Sequence, residues 1–392
     1  MRNCSFNRYR QTYLASRYIF TATVIVMLCL PGCAPGKKAV SVATGPVHHI
    51  VLKLSPGPDN PRNSEGSFVT LKDGRILFIY SRYTGNNSGD HSPAYLAGRY
   101  SADGGKTWTA QDAKIIDQEG GLNVMSVSLL RLKNGTIALF YLRKNSTVDC
   151  IPVVRFSNDE AKTWTAPVDC ITDQKGYFVL NNDRVIQLPD GRLMLAVARH
   201  SSLADPKWQN KGALFAYYSD DNGKTWKAGK EVPTPAGVIT QEPGLTALKD
   251  GRVMMYIRAS GGAQYVSYSA NRGATWSAAL PFNLQSPLSP ATIERIPSTG
   301  DLLAVWNNND GSNIAIKGKR TPLTVAISKD EGRSWIHIRN LETDPDGWYC
   351  YIAIHFYKKD ILLAYCAGSQ QAKTHLSVTD ISRIALTDVY KL

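Results

Sequence analysis

Apolar residues along most of this chain either alternate with polar residues or form short runs, a pattern that predicts β-strands and no amphipathic helix of useful length. Residues 75–80 and 192–197 are two such runs, and each follows an Asp-Gly pair. Asp-Gly and Asn-Gly supply the positive φ angles of a tight hairpin turn. Pairs of this kind, or looser variants, separate apolar runs at Asp73-Gly74, Asn134-Gly135, Asp190-Gly191, Asp250-Gly251, Thr299-Gly300 and Lys359-Asp360. The chain is therefore predicted to contain six hairpins.

An eight-residue pattern, Ser-x-Asp-x-Gly-x-Thr-Trp, interleaves with these hairpins. Its copies, some of them less regular, occupy residues 101–108, 157–164, 219–226, 269–276 and 328–335. Successive copies begin 50 to 62 residues apart, which is the length of four strands with their turns. Six hairpins and five marked turns predict an all-β fold, a six-bladed β-propeller of four-stranded antiparallel blades.

The first 32 residues have the features of an export signal. Four arginines precede an apolar run, residues 18–30, that is too short to cross a membrane. The run ends on Leu30-Pro31-Gly32-Cys33, which resembles the lipobox of bacterial lipoproteins, where the cysteine is acylated. We expect a signal peptide over residues 1–32, a tether over 33–46 and one domain over 47–392, with the exported protein anchored through Cys33 to a bacterial membrane, in the periplasm or at the cell surface. An ordinary signal peptide cut near Ala34 is the alternative.

Composition and charge narrow the classes of function. With 43% hydrophobic and 20% charged residues, the chain is expected to be globular. Four of its 45 basic residues lie in the signal, and the other 41 against 32 acidic residues leave an excess of +9. No run of basic residues and no nucleic-acid motif accompanies this excess, so an anionic ligand is favoured over nucleic acid. No residue spacing indicates a metal site, a phosphate loop or a cofactor.

Four cysteines lie beyond the signal and Cys33. In an oxidising compartment Cys150 could pair with Cys170, and Cys350 with Cys366. Free buried thiols are the alternative, because spacing alone does not determine connectivity.

The repeated octet resembles the Asp-box, or BNR repeat, of bacterial exo-α-sialidases. In that motif the Asp and Gly form a turn, the Asp side chain caps backbone N–H groups and the Trp packs between strands. We therefore interpret Asp103, Asp159, Asp221 and Asp330 as turn residues. The resemblance implies an exo-glycoside hydrolase that releases terminal sialic acid with retention through a tyrosyl-enzyme intermediate. The implied partners are sialylated or other anionic glycans, with no nucleic acid, no membrane contact beyond the lipid anchor and a monomeric protein.

The chemistry of the family explains which residues to look for. Sialic acid carries a carboxylate on its anomeric carbon, which three arginines clamp. That carboxylate would repel an Asp or Glu nucleophile, so the family uses a Tyr with a neighbouring Glu, and an Asp as acid and base. Residues 241–258 resemble the family segment that carries this Glu and the second arginine, here Glu242 and Arg258. Arg320, eight residues before Ser328, resembles the third arginine.

The remaining parts of the site follow from the same resemblance. Residues 347–353 resemble the segment in which the nucleophile precedes an aliphatic strand, which implies Tyr349; Tyr351, two places on and expected on the same sheet face, is the alternative. Asp90, at the end of Asn86-Asn87-Ser88-Gly89-Asp90, resembles the acid/base of a mobile loop. Arg62 occupies the place of the first arginine.

One residue departs from the family pattern. Where the family shows Arg-Ile-Pro, this chain reads Arg62-Asn63-Ser64-Glu65, and Glu65 adds a carboxylate that either pairs with Arg62 or selects a different group on the sugar. The alternatives are therefore a hydrolase of a related anionic sugar, such as another nonulosonic acid or a uronate-bearing glycan, and a non-catalytic propeller that binds glycans. Two polar clusters, residues 181–184 and Arg199-His200, are expected to form structural networks, and His355 is expected in the core.

Overall fold

The computed structural model describes residues 48–391, and the chain is almost entirely β-strand over this range. The predicted signal peptide, the tether and Cys33 lie outside the described residues. In chain order the elements are β1 (His48–Leu54), β2 (Asn63–Thr70), β3 (Ile76–Tyr83), β4 (Ala94–Ser101), β5 (Ala113–Ile116), β6 (Asn123–Arg131), β7 (Ile137–Lys144), β8 (Cys150–Ser157), β9 (Val168–Asp169), β10 (Gly176–Val179), β11 (Ile186–Gln187), β12 (Leu193–Ser202), β13 (Ala213–Ser219), β14 (Lys227–Ala228), β15 (Thr240–Ala247), β16 (Val253–Ala259), β17 (Ala263–Ser269), β18 (Leu280–Gln285), β19 (Thr292–Arg295), β20 (Leu302–Trp306), β21 (Leu323–Ser328), β22 (Ile336–Glu342), β23 (Gly347–Tyr357), β24 (Asp360–Ser369), β25 (Thr379–Ala385) and the helix α1 (Leu386–Val389). Between residues 48 and 391, no helix has the length and apolar character needed to span a membrane.

Antiparallel pairing arranges these strands in groups of four. Sheet I is β2-β3-β4-β5, sheet IV is β15-β16-β17-β18, sheet V is β19-β20-β21-β22, and sheet VI is β23-β24-β25-β1. Strands β6 to β14 form one nine-stranded sheet, whose antiparallel halves are sheet II (β6–β9) and sheet III (β10–β14). A single parallel residue pair, Tyr177 with Cys150, joins the two halves. The predicted all-β class and four-stranded antiparallel sheets are confirmed.

The octets form the turns that their composition predicts. In the first copy, Asp103 Oδ1 accepts hydrogen bonds from the backbone N–H groups of Lys106 and Thr107 at 3.0 and 2.9 Å, and Oδ2 accepts one from the Thr107 hydroxyl at 2.6 Å. These bonds, led by the one from the Thr107 side chain, lower the pKa of Asp103 to about 2. Asp159, Asp221 and Asp330 make equivalent bonds, so all four serve as turn residues.

The hydrophobic core lies between neighbouring sheets rather than inside one of them. One cluster joins sheets I, II and III, and others join III with IV, IV with V, and V with VI. A fifth cluster, which includes Phe78 and Leu362, joins sheet VI back to sheet I. Each sheet therefore buries both of its faces against other sheets, which is why the strands read as near-continuous apolar runs.

Two matching ion pairs fasten neighbouring sheets together. Arg131, at the end of β6, donates to both carboxylate oxygens of Glu160 and to the carbonyl of Thr70 in sheet I. Arg295, at the end of β19, makes the same bonds to Glu331 and to the carbonyl of Ala247 in sheet IV. Each arginine thus links an octet of its own sheet to the preceding sheet.

Sheet VI combines the two ends of the described chain. Strand β1 pairs with β25 from His48 opposite Ile384 to Leu54 opposite Thr379. The two strands are more than 300 positions apart in the sequence. For example, Lys53 donates a hydrogen bond to Asp380, which lies 327 positions later.

The first strand of sheet III is interrupted between β10 and β11, and the residues of this gap contact the other sheets. Between β10 and β11, residues 181–184 bond outward: Asp183 accepts from Ser67 Oγ of sheet I at 2.6 Å and from Ile354 N of sheet VI at 2.9 Å. Asp183 also shares a hydrogen bond with Glu294 of sheet V. We call residues 181–184 the hub. The structural network expected for this cluster is therefore present.

The hub makes stability depend on pH. Burial and the neighbouring Asp183 carboxylate raise the pKa of Glu294 well above 4.5, against the opposing charge of Arg184. In the unfolded chain Glu294 loses its proton at a lower pH than in the folded protein. The contribution of the protonated Glu294 to the free energy of unfolding is therefore complete below about pH 4.5 and is lost as the pH rises toward the folded pKa. Glu294→Gln keeps a hydrogen-bond donor and should remove this loss, which urea unfolding between pH 4 and 8 measures.

A matched control should change with the opposite sign. Burial opposes ionisation of Glu331, but the hydrogen bonds and charges of Arg295 and Lys249 together outweigh burial and lower the Glu331 pKa. Glu331→Gln should therefore be less stable than the wild type at neutral pH, with the difference shrinking as pH falls. Equal and pH-independent effects of the two substitutions would contradict a shared proton at Glu294.

Candidate functional site

Four first strands carry a β-bulge at the same depth. Register shifts occur between Ser64 and Ser67 in β2, Met125 and Ser128 in β6, Gln241 and Gly244 in β15, and Cys350 and Ala353 in β23. In each bulge one non-glycine residue has a positive φ: Glu65 (59°), Ser126 (60°), Glu242 (40°) and Tyr351 (56°). Such residues cost about 1–3 kcal/mol each and cluster at functional sites. All four of them line one pocket.

This pocket has a volume of about 310 Å³ and is polar and charged. Its cations are Lys144, Arg258 and Arg320, its carboxylates are Glu65, Asp90 and Glu242, and its aromatic side chains are Tyr177, His200, Trp208 and Tyr351. Of the residues predicted from the sequence, the structure brings together Asp90, Glu242, Arg258 and Arg320. It does not bring Arg62 or Tyr349 to the pocket wall.

Tyr351, Glu242 and Arg258 form the centre of the pocket. The Tyr351 hydroxyl donates to Glu242 Oε1 at 3.1 Å, and Arg258 Nη1 donates to Glu242 Oε2 at 2.8 Å. Burial opposes ionisation of Glu242, yet Arg258, Arg320 and Arg184 together outweigh burial, and the Glu242 pKa falls below its usual value. Burial and the charge of Glu242 raise the pKa of the Tyr351 phenol. At neutral pH the pair is therefore a carboxylate that holds an un-ionised phenol.

Arg320 presents a guanidinium with spare donors. Its Nη1 has no protein hydrogen-bond partner among residues 48–391. The guanidinium carbon lies 5.0 Å from the ring centre of Trp348 and 5.5 Å from that of Tyr351. Aromatic faces attract a cation without occupying its N–H donors, so Arg320 keeps donors for an anionic group in the pocket.

Tyr349, the nucleophile that the resemblance implies, does not reach the pocket. Its side chain is 7% exposed and packs edge-on against Tyr365, with ring centres 6.2 Å apart, and over Gly347. The bulge between Cys350 and Ala353 breaks the alternation that would have placed residues 349 and 351 on one face. Burial and then the charges of Glu342, Asp344 and Asp380 raise the pKa of Tyr349, and no arginine is among the causes of this shift. The expected position of Tyr349 in the pocket is therefore wrong, and Tyr351, the alternative, lines the pocket instead.

Arg62 lies behind the pocket wall and is fully engaged. It is 1% exposed, donates to Asp90 Oδ1 and Glu65 Oε1 at 2.5 Å each, and bonds Ser64 Oγ at 2.8 Å. Its guanidinium also stacks on Tyr83 at 4.5 Å. Of the two roles open to Glu65, pairing with Arg62 is the one observed. Arg62 therefore contacts the carboxylates that line the pocket instead of lining it.

The loop that ends in Asp90 is held by the neighbouring sheet. Asn123 Nδ2 donates to the carbonyls of Asp90 and Ser92 at 2.9 and 2.7 Å, and Lys144 Nζ donates to the Asp90 carbonyl at 2.5 Å. The Asp90 carboxylate remains exposed at the pocket mouth, with 59% of its side chain accessible. Desolvation raises the pKa of Asp90, but the charge and hydrogen bond of Arg62 outweigh it and keep that pKa below its usual value.

An aromatic wall closes another side of the pocket. Trp208 stacks on His200 with ring centres 4.3 Å apart and meets Tyr177 edge-on at 5.3 Å. Sequence reasoning missed Tyr177, Trp208, Ser126 and Lys144, which carry no motif. His200 was expected in a structural network, and its ring does bond the Gln209 carbonyl at 2.7 Å, yet it also lines the pocket.

Other polar residues lie away from this pocket. Arg199 bonds Gln174 and stacks on Phe215. His355, expected in the core, bonds Thr70 Oγ1 and lines a second cavity, of about 1140 Å³, toward the other ends of the same first strands. Cys150, Cys170, Cys350 and Cys366 are buried free thiols. Within residues 48–391 no group of three or more His, Cys, Asp or Glu side chains is arranged to hold a metal ion.

The octet repeats, the antiparallel sheets and the pocket define an all-β repeat protein with a charged pocket that Arg258 and Arg320 line. Residues 99–363 match the family model described as a BNR repeat-like domain, and the chain belongs to that family. A sialidase of Bacteroides fragilis is 28% identical over 338 residues, which cover 75% of this chain and 58% of the relative. The predicted relationship to bacterial sialidases with BNR repeats is confirmed.

Solved structures share the fold. A protein of unknown function from Dyadobacter fermentans superposes with a TM-score of 0.66 at 21% identity, covering 86% of this chain and 100% of the other. A Hadza microbial sialidase gives a TM-score of 0.66 at 18% identity, covering 83% of this chain and 66% of the other. The chain spans 48–60% of the length of the curated sialidases that it matches.

Proposed function

We propose that this chain is a six-bladed β-propeller and an exo-glycoside hydrolase that releases terminal sialic acid from glycoconjugates. Sheets I to VI would be the blades, and the core clusters that run from sheet I through to sheet VI and back to sheet I support a ring. The observation that carries the activity is the Tyr351–Glu242 hydrogen bond beside Arg258 and Arg320. A carboxylate beside a phenol, with cations for an anionic sugar, suits a tyrosyl nucleophile better than a carboxylate one.

In the proposed reaction Arg258 and Arg320 bind the sugar carboxylate. Glu242 accepts the Tyr351 proton as the phenolic oxygen bonds to the anomeric carbon, and the glycosidic bond breaks as Asp90 gives its proton to the leaving oxygen. Asp90, now a carboxylate, then removes a proton from water, whose oxygen displaces the phenolic oxygen; Glu242 returns the proton to Tyr351. Two displacements at one carbon give net retention.

Asp90 needs a proton to act as the acid. In the free protein Arg62 holds the Asp90 pKa below its usual value, so the carboxyl is ionised at neutral pH. An anionic substrate adds negative charge to the pocket, which raises the pKa of a nearby carboxyl. Protonation of Asp90 is thereby coupled to substrate binding, and the acid is formed where the leaving oxygen lies.

Hydrolysis of an aryl sialoside by purified residues 47–392 tests this proposal. We expect release of the aryl alcohol and of free sialic acid, with the initial product in the same anomeric form as the substrate when followed by proton NMR. A folded protein that releases nothing from a panel of sialosides of different linkage would overturn it.

One observation favours a related sugar as the second candidate. Glu65 and Ser126 occupy the pocket wall, while Arg62 is turned to Glu65 and Asp90. Glu65 Oε1 accepts from Arg62 and Oε2 from Ser126, so a hydroxyl or ammonium donor on the sugar would share an oxygen that is already bonded. Another nonulosonic acid or a uronate-bearing glycan is the alternative substrate. Product analysis on a glycan panel that contains these sugars separates the two.

We also propose that the protein is a monomer exported with its residues 1–32 removed and anchored through a lipidated Cys33. The support is the Leu30-Pro31-Gly32-Cys33 segment. Mass spectrometry of the mature N-terminus would show a diacylated or triacylated cysteine, and a mature chain that begins elsewhere would contradict the anchor.

A further inference from the structure

The hub links the first strand of sheet III to all five other sheets. Asp183 N donates to the Val127 carbonyl of sheet II, Asp183 accepts from sheets I and VI, and Arg184 Nη1 donates to the Tyr256 hydroxyl of sheet IV at 2.7 Å. The bond with Glu294 adds sheet V. Buried polar bonds of this kind restrict the arrangement of the surrounding elements, although Asn181 Nδ2, Asn182 Oδ1 and Arg184 Nε have no partner within residues 48–391.

Two side chains of the hub bond to the backbone of β23, one at Tyr351 within the bulge and one at Ile354 just after it. Asn182 Nδ2 donates to the Tyr351 carbonyl at 3.1 Å, and Asp183 Oδ2 accepts from Ile354 N at 2.9 Å. Between them, the Ile352 carbonyl accepts from Thr292 Oγ1 at 2.7 Å. The backbone from residue 351 to 354, in which residues 351 and 352 have no paired residue in β24, is therefore held by side chains of other sheets.

The same amide holds a second bulge. Asn182 Nδ2 also donates to the Gly66 carbonyl at 2.8 Å, next to Glu65. Asn182 is 1% exposed, so water does not replace these bonds readily. One buried side chain thus connects the bulge that places Glu65 with the bulge that places Tyr351.

We propose that Asn182 and Asp183 are positioning residues that direct the Tyr351 phenol toward Glu242. The proposal rests on the proposed function, because it concerns the nucleophile of that reaction. Tyr351 has a φ of 56°, a conformation that a bulky residue keeps only when its surroundings impose it. The 3.1 Å bond from its hydroxyl to Glu242 depends on that conformation. With the φ of a regular strand, the Tyr351 side chain would point in a different direction.

The first test compares Asn182→Ala with a control of equal burial and bonding. Gln264, 0% exposed in β17, gives two hydrogen bonds through its amide, to Ser286 Oγ at 2.9 Å and the Ser289 carbonyl at 2.7 Å, and does not line the pocket. Both variants should unfold at lower temperature. Only Asn182→Ala should lose kcat, by about 10- to 100-fold at little-changed KM, because small misplacements of a reacting group cost that much.

Equal kcat values for Asn182→Ala and Gln264→Ala would overturn the proposal. If Asn182→Ala does not fold, Asn182→Asp keeps the side-chain shape while facing two carbonyls with an acceptor, and the same kcat loss is expected. A measurement without turnover keeps this result separate from the proposed function: the ¹³Cζ signal of Tyr351, assigned with Tyr351→Phe, should shift in the Asn182 variant and not in the Gln264 variant. An unshifted signal would overturn the positioning role even if the wild type hydrolyses no sialoside.

Discussion

Tyr351→Phe should reduce kcat for an aryl sialoside by at least about two decades, because it removes the oxygen that would bond to the anomeric carbon. The hydroxyl it removes is the one that donates to Glu242 at 3.1 Å. The ring and its contact with Arg320 remain, so substrate binding should change little. Steady-state kinetics should therefore show the loss in kcat rather than in KM.

Tyr349→Phe is the matched control for this substitution. The Tyr349 ring packs against Tyr365 and over Gly347, outside the pocket, and Phe preserves that packing. Its turnover should stay within about twofold of the wild type, since no reacting group is touched. If Tyr349→Phe abolished turnover while Tyr351→Phe retained it, the proposed nucleophile would be wrong.

Arg62→Met should cost stability as well as activity. Arg62 and Glu65 are both nearly inaccessible, with side-chain exposures of 2% and 4%. Removing one partner of a buried ion pair leaves an uncompensated charge and costs about 3–5 kcal/mol. We expect urea unfolding to show a loss of that size, and the double substitution of Arg62→Met with Glu65→Gln to recover much of it.

Arg320→Met should lower activity but not stability, unlike Arg62→Met. Arg320 lines the pocket and its Nη1 has no protein partner within the described residues, and Glu242 keeps its bond from Arg258 when Arg320 is lost. Stability should be nearly unchanged, while kcat/KM falls by about 10- to 150-fold, the equivalent of one charged hydrogen bond of about 1.5–3 kcal/mol. Similar stability losses for both substitutions would contradict the different roles assigned to Arg62 and Arg320.

The repeats made the fold class predictable. Local signals, such as the Asp-Gly pairs and the octets, mark the turns between strands. These residues favour turns whatever their distant neighbours are. The interrupted strand of sheet III was not predictable in this way. Residues 181–184 bond to five other sheets, and no local pattern encodes partners that are distant in sequence.

The site residues that lie in recognisable sequence segments were predictable, and those whose position depends on a β-bulge were not. Glu242, Arg258, Arg320 and Asp90 all border the pocket. Tyr349 does not border the pocket, because the alternation of side chains expected from the sequence is broken between Cys350 and Ala353. A bulge with a non-glycine residue at positive φ has no sequence signature of its own, so Ser126 was equally invisible.

The pairing of β1 with β25 has a consequence for how the molecule is made. Strand β1 is synthesised long before β25, so it can pair with its neighbour only after β25 has been made. Until then both strands offer unpaired backbone edges, which other chains can recruit. Completion of sheet VI is therefore a late, long-range step in folding, because it requires both β1 and β25.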